Sequence, residues 1–213
     1  DELTSTSTID VKYGKLNANR IIHDSKEPLT KLILAYSDGV IQETSWLNAD
    51  IKYAKLSITN SKALVVISKY SKVFITNGSS VVSESKYDSF EIGSLNNFVI
   101  NTAYTNVKIG KLSGRLQAET KYTDVLVDNI VPSFESIKVN TSYGNYRLGI
   151  GNDASYKLDG SARYSDIIYP QSSRVSRISE NNSLQVKGTI GRNENPSAVV
   201  NVISNYGNVR LIP

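Results

Sequence analysis

Catalytic chemistry needs nucleophiles, acids, bases or metal ligands at close spacing, and this sequence offers few of them. His23 is its only histidine and it has no cysteine, so disulfides, thiolate nucleophiles and cysteine-ligated zinc are excluded. A serine triad would have to use His23, and neither a nucleophile-elbow motif nor a phosphate-binding glycine loop is present. One histidine without cysteine does not make a typical zinc site. We therefore predict a non-enzymatic protein with no catalytic residues, no metal and no cofactor.

Basic residues recur at positions that directly precede a tyrosine and could together bind an anion. Acidic residues (Asp50, Glu84 and Glu119) stand two positions before several of them. One interpretation is a solvated mixed-charge lattice on an outward face; the alternative is a weak site for an anionic glycan or polysaccharide. The candidate ligand-binding residues are Lys52, Lys69, Lys86, Lys121 and Arg163, with Arg174 and Arg177 in a less regular segment.

Asn or Asp stands two positions after several of the same tyrosines. Asp124 and Asp166 are 42 residues apart with Asn145 between them. A β-helix hydrolase or lyase would need several carboxylates clustered on one face. Asn and Asp also suit a sharp corner, because they tolerate left-handed backbone angles and bond to nearby backbone groups. Turn chemistry is the interpretation we favour for the column Asn106, Asp124, Asn145, Asp166 and Asn208.

The elements that carry these residues follow from a tyrosine repeat. The repeat steps are 23, 17, 17, 17, 17, 18, 21, 21 and 42 residues, and the last step predicts one turn without its tyrosine near Gln185. Apolar pairs such as Leu56 and Ile58 follow each tyrosine by three and five residues, and alternating apolar residues precede it, which is typical of half-buried strands. The repeated tyrosines are Tyr13, Tyr36, Tyr53, Tyr70, Tyr87, Tyr104, Tyr122, Tyr143, Tyr164 and Tyr206.

Each repeat is too short to enclose a core of its own, so the repeats are expected to stack. We predict an all-β, right-handed β-helix or β-solenoid of ten to eleven rungs with repeats of 17–21 residues. The chain would be one domain over residues 1–213. It would have a looser N-terminal region over 1–35, regular rungs over 36–170, and an irregular loop with closing rungs over 171–213.

Stacking would place equivalent side chains in ladders. The parity of apolar residues changes within each unit, which predicts a corner just after each tyrosine and puts the tyrosine rings inside. The alternative is an outward aromatic platform for sugar rings. The Ser/Thr set two positions earlier is predicted to be an inward hydrogen-bonded ladder. The tyrosine ladder comprises Tyr53, Tyr70, Tyr87, Tyr104, Tyr122, Tyr143, Tyr164 and Tyr206, and the Ser/Thr ladder Ser68, Ser85, Thr102, Thr120, Thr141 and Ser204.

Composition narrows the partners and the location. The 24 basic and 20 acidic residues are well mixed, so the net charge of +4 does not imply a nucleic-acid partner. No apolar run approaches the roughly 20 residues that cross a bilayer, so no membrane insertion is expected within this chain. The polar start "DELTSTSTID" would suit the residues after a signal peptide. We predict export to the bacterial cell envelope or surface, periplasmic or associated with the outer membrane; a trimmed cytoplasmic protein is the alternative.

The turns at Tyr143-Gly144-Asn145 and at Tyr206-Gly207-Asn208-Val209-Arg210-Leu211 resemble the "yGdv.l" turns of bacterial adhesin-type domains. This head GIN-domain-like β-helix family has no established function. The resemblance implies an exported β-helical domain of envelope or surface proteins. We predict an adhesin or scaffold that binds glycan or cell-surface protein through its outer faces and through the stretch 171–196. The alternatives are a carbohydrate-active lyase or hydrolase and a sensor ectodomain.

Overall fold

The computed structural model describes residues 2–3, 7–22 and 30–212, and these residues form strands and turns without any helix. His23 lies outside the described residues. The strands are β1 (Glu2–Leu3), β2 (Thr8–Lys12), β3 (Lys15–Ile21), β4 (Thr30–Ala35), β5 (Asp38–Lys52), β6 (Lys55–Lys69), β7 (Lys72–Lys86), β8 (Ser89–Ala103), β9 (Asn106–Lys121), β10 (Asp124–Ile130), β11 (Ser136–Ser142), β12 (Tyr146–Ile150), β13 (Tyr156–Arg163), β14 (Ile167–Ile168), β15 (Val175–Glu180), β16 (Ser183–Ile190), β17 (Val199–Asn205) and β18 (Val209–Arg210).

The strands coil into a β-solenoid, as the repeat predicted. Segments that end just before a tyrosine pair in parallel with one another and make up face A. Segments that begin two residues after a tyrosine pair in the same way and make up face B. The 17-residue period sets the register, so that Lys55 lies opposite Lys72 and Leu56 opposite Val73. Each rung contributes one tyrosine, and ten tyrosines stack in a single ladder among the described residues.

The long strands β5 to β9 each cross from face B to face A of the next rung through a bend. In β6 the buried positions are Leu56 and Ile58 on face B, Ser61 at the bend, and Leu64 and Val66 on face A. The alternation is therefore interrupted at the bend, where the spacing of inward residues becomes three. Burial of these apolar residues in every rung, at roughly 25 cal/mol per Å² of apolar surface, is the main stabilising contribution to the fold.

The last rung of the chain is inserted between two earlier rungs. Strand β17 pairs with β11 on one side and with β13 on the other, both in parallel. Strand β18 likewise lies between β12 and β14. Rungs therefore do not stack strictly in chain order, and the 42-residue step does not mark a rung without a tyrosine at Gln185. That residue lies in β16, which pairs antiparallel to β13.

The stretch predicted to be an irregular loop is mostly a hairpin. Strands β15 and β16 pair antiparallel, and β16 continues the sheet beyond β13. The turn between them holds Asn181 and Asn182, both with positive φ, as a two-residue hairpin of type I′ requires. Antiparallel pairing explains why the parallel repeat is lost here, since a reversed strand cannot keep the spacing of the rungs.

Candidate functional site

The ten repeated tyrosines form one stacked column along a single edge of the solenoid, which we call the tyrosine corner. Neighbouring ring centroids are 4.8 to 5.1 Å apart and the ring planes are within 16° of parallel. The spatial order is Tyr13, Tyr36, Tyr53, Tyr70, Tyr87, Tyr104, Tyr122, Tyr143, Tyr206 and Tyr164.

The prediction that these rings point inward is wrong. Most of them are about half exposed, and Tyr13 at the end of the ladder is 81% exposed. The corner lies at the tyrosine itself: every one of the ten has φ between 50° and 60°. This left-handed turn reverses the side-chain parity one residue earlier than predicted. The ring turns outward, and the residue after it points into the core.

Stacking offsets the strain of this backbone conformation. A left-handed angle costs an L-residue roughly 1–2 kcal/mol. An aromatic pair contributes roughly 0.5–1.5 kcal/mol beyond its buried area, and each ring inside the ladder belongs to two pairs. The backbone is also satisfied, because the Tyr53 N–H donates to the Lys69 carbonyl at 3.1 Å and the other rungs repeat the bond. Since the ring faces contact one another, the corner offers a ligand ring edges and hydroxyls.

A column of small residues lies beneath the tyrosine corner, and the sequence analysis missed it. In the rungs from Tyr36 to Tyr122 the residue directly after the tyrosine is buried, and where it is Ser or Thr its hydroxyl is hydrogen-bonded to backbone. Ser37 Oγ donates to the Ala35 carbonyl at 2.8 Å and accepts the Gly14 N–H at 3.1 Å. Thr105 and Thr123 repeat this pattern. In the sequence, the small residues of this column are the middle letters of the motifs "YSK", "YTN" and "YTD".

Asp88 replaces the hydroxyl in one rung of this column. Its carboxylate accepts the Ser68 hydroxyl at 2.8 Å, the Ser71 N–H at 2.6 Å and the Lys86 N–H at 3.1 Å. Burial raises the pKa of Asp88 above its usual range, and these hydrogen bonds limit the rise. The group is enclosed by its own rung and its neighbours, so we assign it a structural role.

The predicted Ser/Thr ladder faces inward and is hydrogen-bonded. Ser85 donates to Thr102 at 2.7 Å and Thr120 donates to Thr141 at 2.9 Å. Thr120 also shares a 2.7 Å hydrogen bond with the Tyr146 hydroxyl. Ser204 donates to the Gly207 carbonyl. These hydroxyls are occupied within the core, which explains their recurrence without any nucleophilic role.

The Asn/Asp column is structural, but its chemistry differs from the prediction. None of its members has a positive φ; Asn106 and Asp124 begin strands. Their side-chain oxygens accept backbone N–H groups of the next rung, as Asp124 Oδ1 does from Asn145 at 2.9 Å. Insertion of the last rung places both Asn145 and Asn208 between Asp124 and Asp166. The two carboxylates are therefore separated by one rung more than predicted.

The predicted basic residues before the tyrosines are all exposed and lie along face A beside the tyrosine corner. Lys52, Lys69 and Lys86 occupy three consecutive rungs in register. Ala103 separates them from Lys121, and Ser142 and Asn205 separate Lys121 from Arg163. The Lys86 ammonium lies 5.2 Å from the Tyr87 ring centroid, in cation–π geometry. Lys12, which the sequence analysis did not single out, extends this basic column at its other end.

Acidic residues neutralise only part of the basic column. Lys52 Nζ lies 3.6 Å from Asp50, and Lys12 Nζ lies 3.5 Å from Asp10. Within the described part of the chain, Lys69 and Lys86 form no ion pair, and Ile67 rather than an acid stands two residues before Lys69. The mixed-charge lattice is therefore incomplete where three lysines adjoin.

A second basic column lies on the other side of the tyrosine corner, on face B. Lys55 and Lys72 are paired in register, and Lys15 is two rungs away beyond Asp38. In the sequence, the lysines of this column are the third letters of the motifs "YGK", "YAK" and "YSK". Lysines thus flank the tyrosine rings on both sides in the first half of the ladder.

The remaining two predicted residues do not join the basic column. Arg177 lies in the β15–β16 hairpin and pairs with Asp166 at 2.9 Å; this hydrogen bond raises the pKa of Arg177. Arg174 precedes the same hairpin and donates to the Gly191 carbonyl. Arg177 therefore ties the hairpin to the segment after Tyr164, whereas Arg174 joins the two ends of the hairpin.

Exposed lysines beside the tyrosine corner repeat from rung to rung. The described residues contain no group of three or more His, Asp or Glu able to hold a metal ion. They also contain no helix long and apolar enough to cross a membrane. Exposed ammonium groups at the rung spacing of roughly 4.8 Å, beside tyrosine hydroxyls, can contact successive anionic groups of an extended polymer.

Comparison with known proteins gives a family but no activity. No curated protein and no solved structure matches the chain significantly. The model of an uncharacterised β-solenoid family, described as Toastrack DUF4097, matches residues 26–211. The match does not confirm the head GIN-domain name suggested by the closing unit. It covers most of the chain, and the protein therefore belongs to the Toastrack DUF4097 family.

Proposed function

We propose that this domain is a non-enzymatic adhesin or scaffold of the bacterial cell envelope that binds an anionic glycan along the tyrosine corner. The observation that carries the proposal is the run of Lys52, Lys69 and Lys86 in consecutive rungs; among the described residues, a carboxylate lies within 4.0 Å of only the first. Like charges in register repel one another, so a fold that keeps them exposed suits an anionic partner.

The binding mode is a set of weak contacts repeated along the solenoid. One exposed ion pair contributes roughly 0.2–1 kcal/mol, so a single lysine would bind weakly. A polymer that contacts several rungs adds these contributions, because each later contact forms within the same complex. Such binding weakens as salt rises, because exposed charges are screened over roughly 10 Å at 0.1 M ionic strength.

A glycan array and a titration with a soluble anionic polysaccharide test the proposal on the intact domain. A uronic-acid polymer should bind saturably, and a neutral polymer of similar length should not. The triple variant Lys52→Gln, Lys69→Gln, Lys86→Gln should weaken binding about tenfold or more, since it removes about 1–3 kcal/mol of contacts.

A matched control carries the same change of charge elsewhere. Lys62, Lys111 and Lys157 are exposed, lie away from the tyrosine corner and form no ion pair within the described chain. Their triple replacement by Gln should change affinity less than about threefold. Equal losses in the two triple variants would show that net charge alone drives binding, and a blank array would reject a glycan partner.

A further inference from the structure

A third group of basic residues also lies on face B, in a groove of about 620 Å³. Three outward basic side chains line it, each from a different strand: Lys108 of β9, Arg147 of β12 and Arg210 of β18. Leu126 lies between Lys108 and Arg147 in the same column. We call this feature the arginine groove.

The two arginines are neighbours because of the inserted rung. Strand β18 pairs with β12 so that Arg147 lies directly opposite Arg210. Adjacent parallel strands are roughly 4.8 Å apart, and like charges directly opposite are destabilising. Arg147 and Arg210 are 63 residues apart and stand at the same position of the motifs "YGNYRL" and "YGNVRL", but only the inserted rung makes them neighbours.

No carboxylate of the described residues forms an ion pair with either arginine. Elsewhere on the surface Arg20, Arg115 and Arg177 each pair with a carboxylate. Arg147 and Arg210 form no ion pair or side-chain hydrogen bond with any residue that the structure describes.

Two acidic residues, Glu91 and Asp124, also line the groove. Glu91 lies opposite Lys108 in register, so these two charges offset each other. Asp124 Oδ1 accepts the Asn145 N–H at 2.9 Å. Asn208 at the rim has its side-chain oxygen bonded to the Asp166 N–H at 2.9 Å, which leaves its amide nitrogen as a further donor.

We propose that the arginine groove binds a phosphate group carried by an organic ligand. Two guanidinium groups can each donate paired hydrogen bonds to an oxyanion. Leu126 offers an apolar contact for the carbon part of the ligand. The groove is separate from the lysines of the tyrosine corner, so the inference goes beyond the glycan site and does not depend on it.

Binding should also fasten the inserted rung. Arg210 belongs to β18 and Arg147 to β12, so a shared phosphate ties the C-terminal strand to its neighbour. A ligand that binds only the folded state stabilises it by an amount that grows with the logarithm of the ligand concentration once this exceeds the dissociation constant. The midpoint of thermal unfolding should therefore rise with ligand concentration and continue to rise after the folded state is saturated.

The test is a titration of the whole domain by calorimetry and thermal unfolding at constant ionic strength. The probes are inorganic phosphate, glycerol 3-phosphate and polyglycerol phosphate. Saturable binding of at least one probe is expected, with affinity reduced about tenfold or more in Arg147→Gln and in Arg210→Gln, because each loses a charge-assisted bidentate contact. Tighter binding of the monoester identifies a small phosphate ester as the ligand class, and tighter binding of the polymer identifies a phosphodiester chain.

Controls separate this site from general charge effects and from the tyrosine corner. Arg192→Gln removes an exposed arginine outside the groove and should bind the probes like the wild type. Without ligand, Arg210→Gln should unfold at the same temperature as the wild type or higher, since it relieves the repulsion with Arg147. The lysine triple variant should keep phosphate binding, and Arg147→Gln should keep anionic-glycan binding. Equal affinity in wild type and Arg147→Gln, or no saturable binding of any probe, would overturn the proposal.

Discussion

At the scale of single residues, tyrosine has three different roles in this chain. In the tyrosine corner it is exposed and left-handed. Tyr146 and Tyr156 are instead buried in the core, and burial raises the pKa of both hydroxyls. The Tyr146 hydroxyl bonds to Thr120, whereas the Tyr156 hydroxyl has no hydrogen-bond partner among the described residues. The same side chain therefore contributes differently to stability at the two buried positions.

Replacement of Tyr146 with Phe and replacement of Tyr156 with Phe should have different effects on the free energy of unfolding. Tyr146→Phe leaves Thr120 with one partner fewer and should lower the free energy of unfolding by about 1 kcal/mol. Tyr156→Phe removes an unsatisfied buried hydroxyl and should leave stability unchanged or raise it by up to about 1–2 kcal/mol. Urea unfolding of both variants measures the difference. Similar losses in the two variants would mean that Tyr156 has a partner in solution.

At the scale of elements, the inserted rung fits only because glycine follows its tyrosine. A Cβ added at Gly207 would lie 2.0 Å from the Gly144 carbonyl oxygen, and one at Gly144 would lie 2.1 Å from the Thr123 carbonyl oxygen. The six rungs from Tyr36 to Tyr122 carry Ser, Ala, Asp or Thr at this position. The change from "YTN" and "YTD" to "YGN" thus marks the rungs between which backbones approach most closely.

Two glycine-to-alanine variants at equivalent positions should therefore differ. Gly207→Ala places a methyl group against backbone that has nowhere to move and should cost about 1–3 kcal/mol. Gly14→Ala meets only the Val11 side chain at 3.3 Å, in a column that holds Ser37 and Ala54, and should stay within about 1 kcal/mol of the wild type. Thermal unfolding compares them, and an equal effect of both would show that closeness of the inserted rung is not the constraint.

At the scale of the whole molecule, stability is not graded simply from one end of the chain to the other. A solenoid is held by contacts between neighbouring rungs, so its outer strands open first. Here strand β17, close to the C-terminus, is an inner strand with partners on both sides. Strand β2 pairs only with β4 among the described residues.

The backbone amides of strand β17 should therefore be more protected from hydrogen exchange than those of strand β2. Backbone amides of residues 199–205 should exchange at least about tenfold more slowly than those of residues 8–12, because the former open only when rungs on both sides separate. Exchange measured by mass spectrometry on the intact domain reports both segments in one experiment. Faster exchange of residues 199–205 would contradict the inserted topology.

Local patterns in the sequence predicted much of the architecture. The 17-residue steps predicted the register of Lys52 with Lys69, and period-two alternation predicted burial of pairs such as Leu56 and Ile58. The inward Ser/Thr ladder was also predicted correctly. These features depend on spacing alone, because stacked parallel strands bring equivalent positions into contact whatever the details of the corner.

What spacing could not determine was where each corner turns and which rungs are neighbours. The backbone angle of the tyrosine depends on stacking with the rings above and below, so only the assembled ladder turns it outward. The partners of β17 depend on contacts between residues far apart in the chain, and parallel pairing with β11 alone would have satisfied the same pattern. The sequence by itself therefore determined that the chain is a stacked β-solenoid with basic columns. Only the tertiary structure placed the tyrosines at the surface and Arg147 beside Arg210.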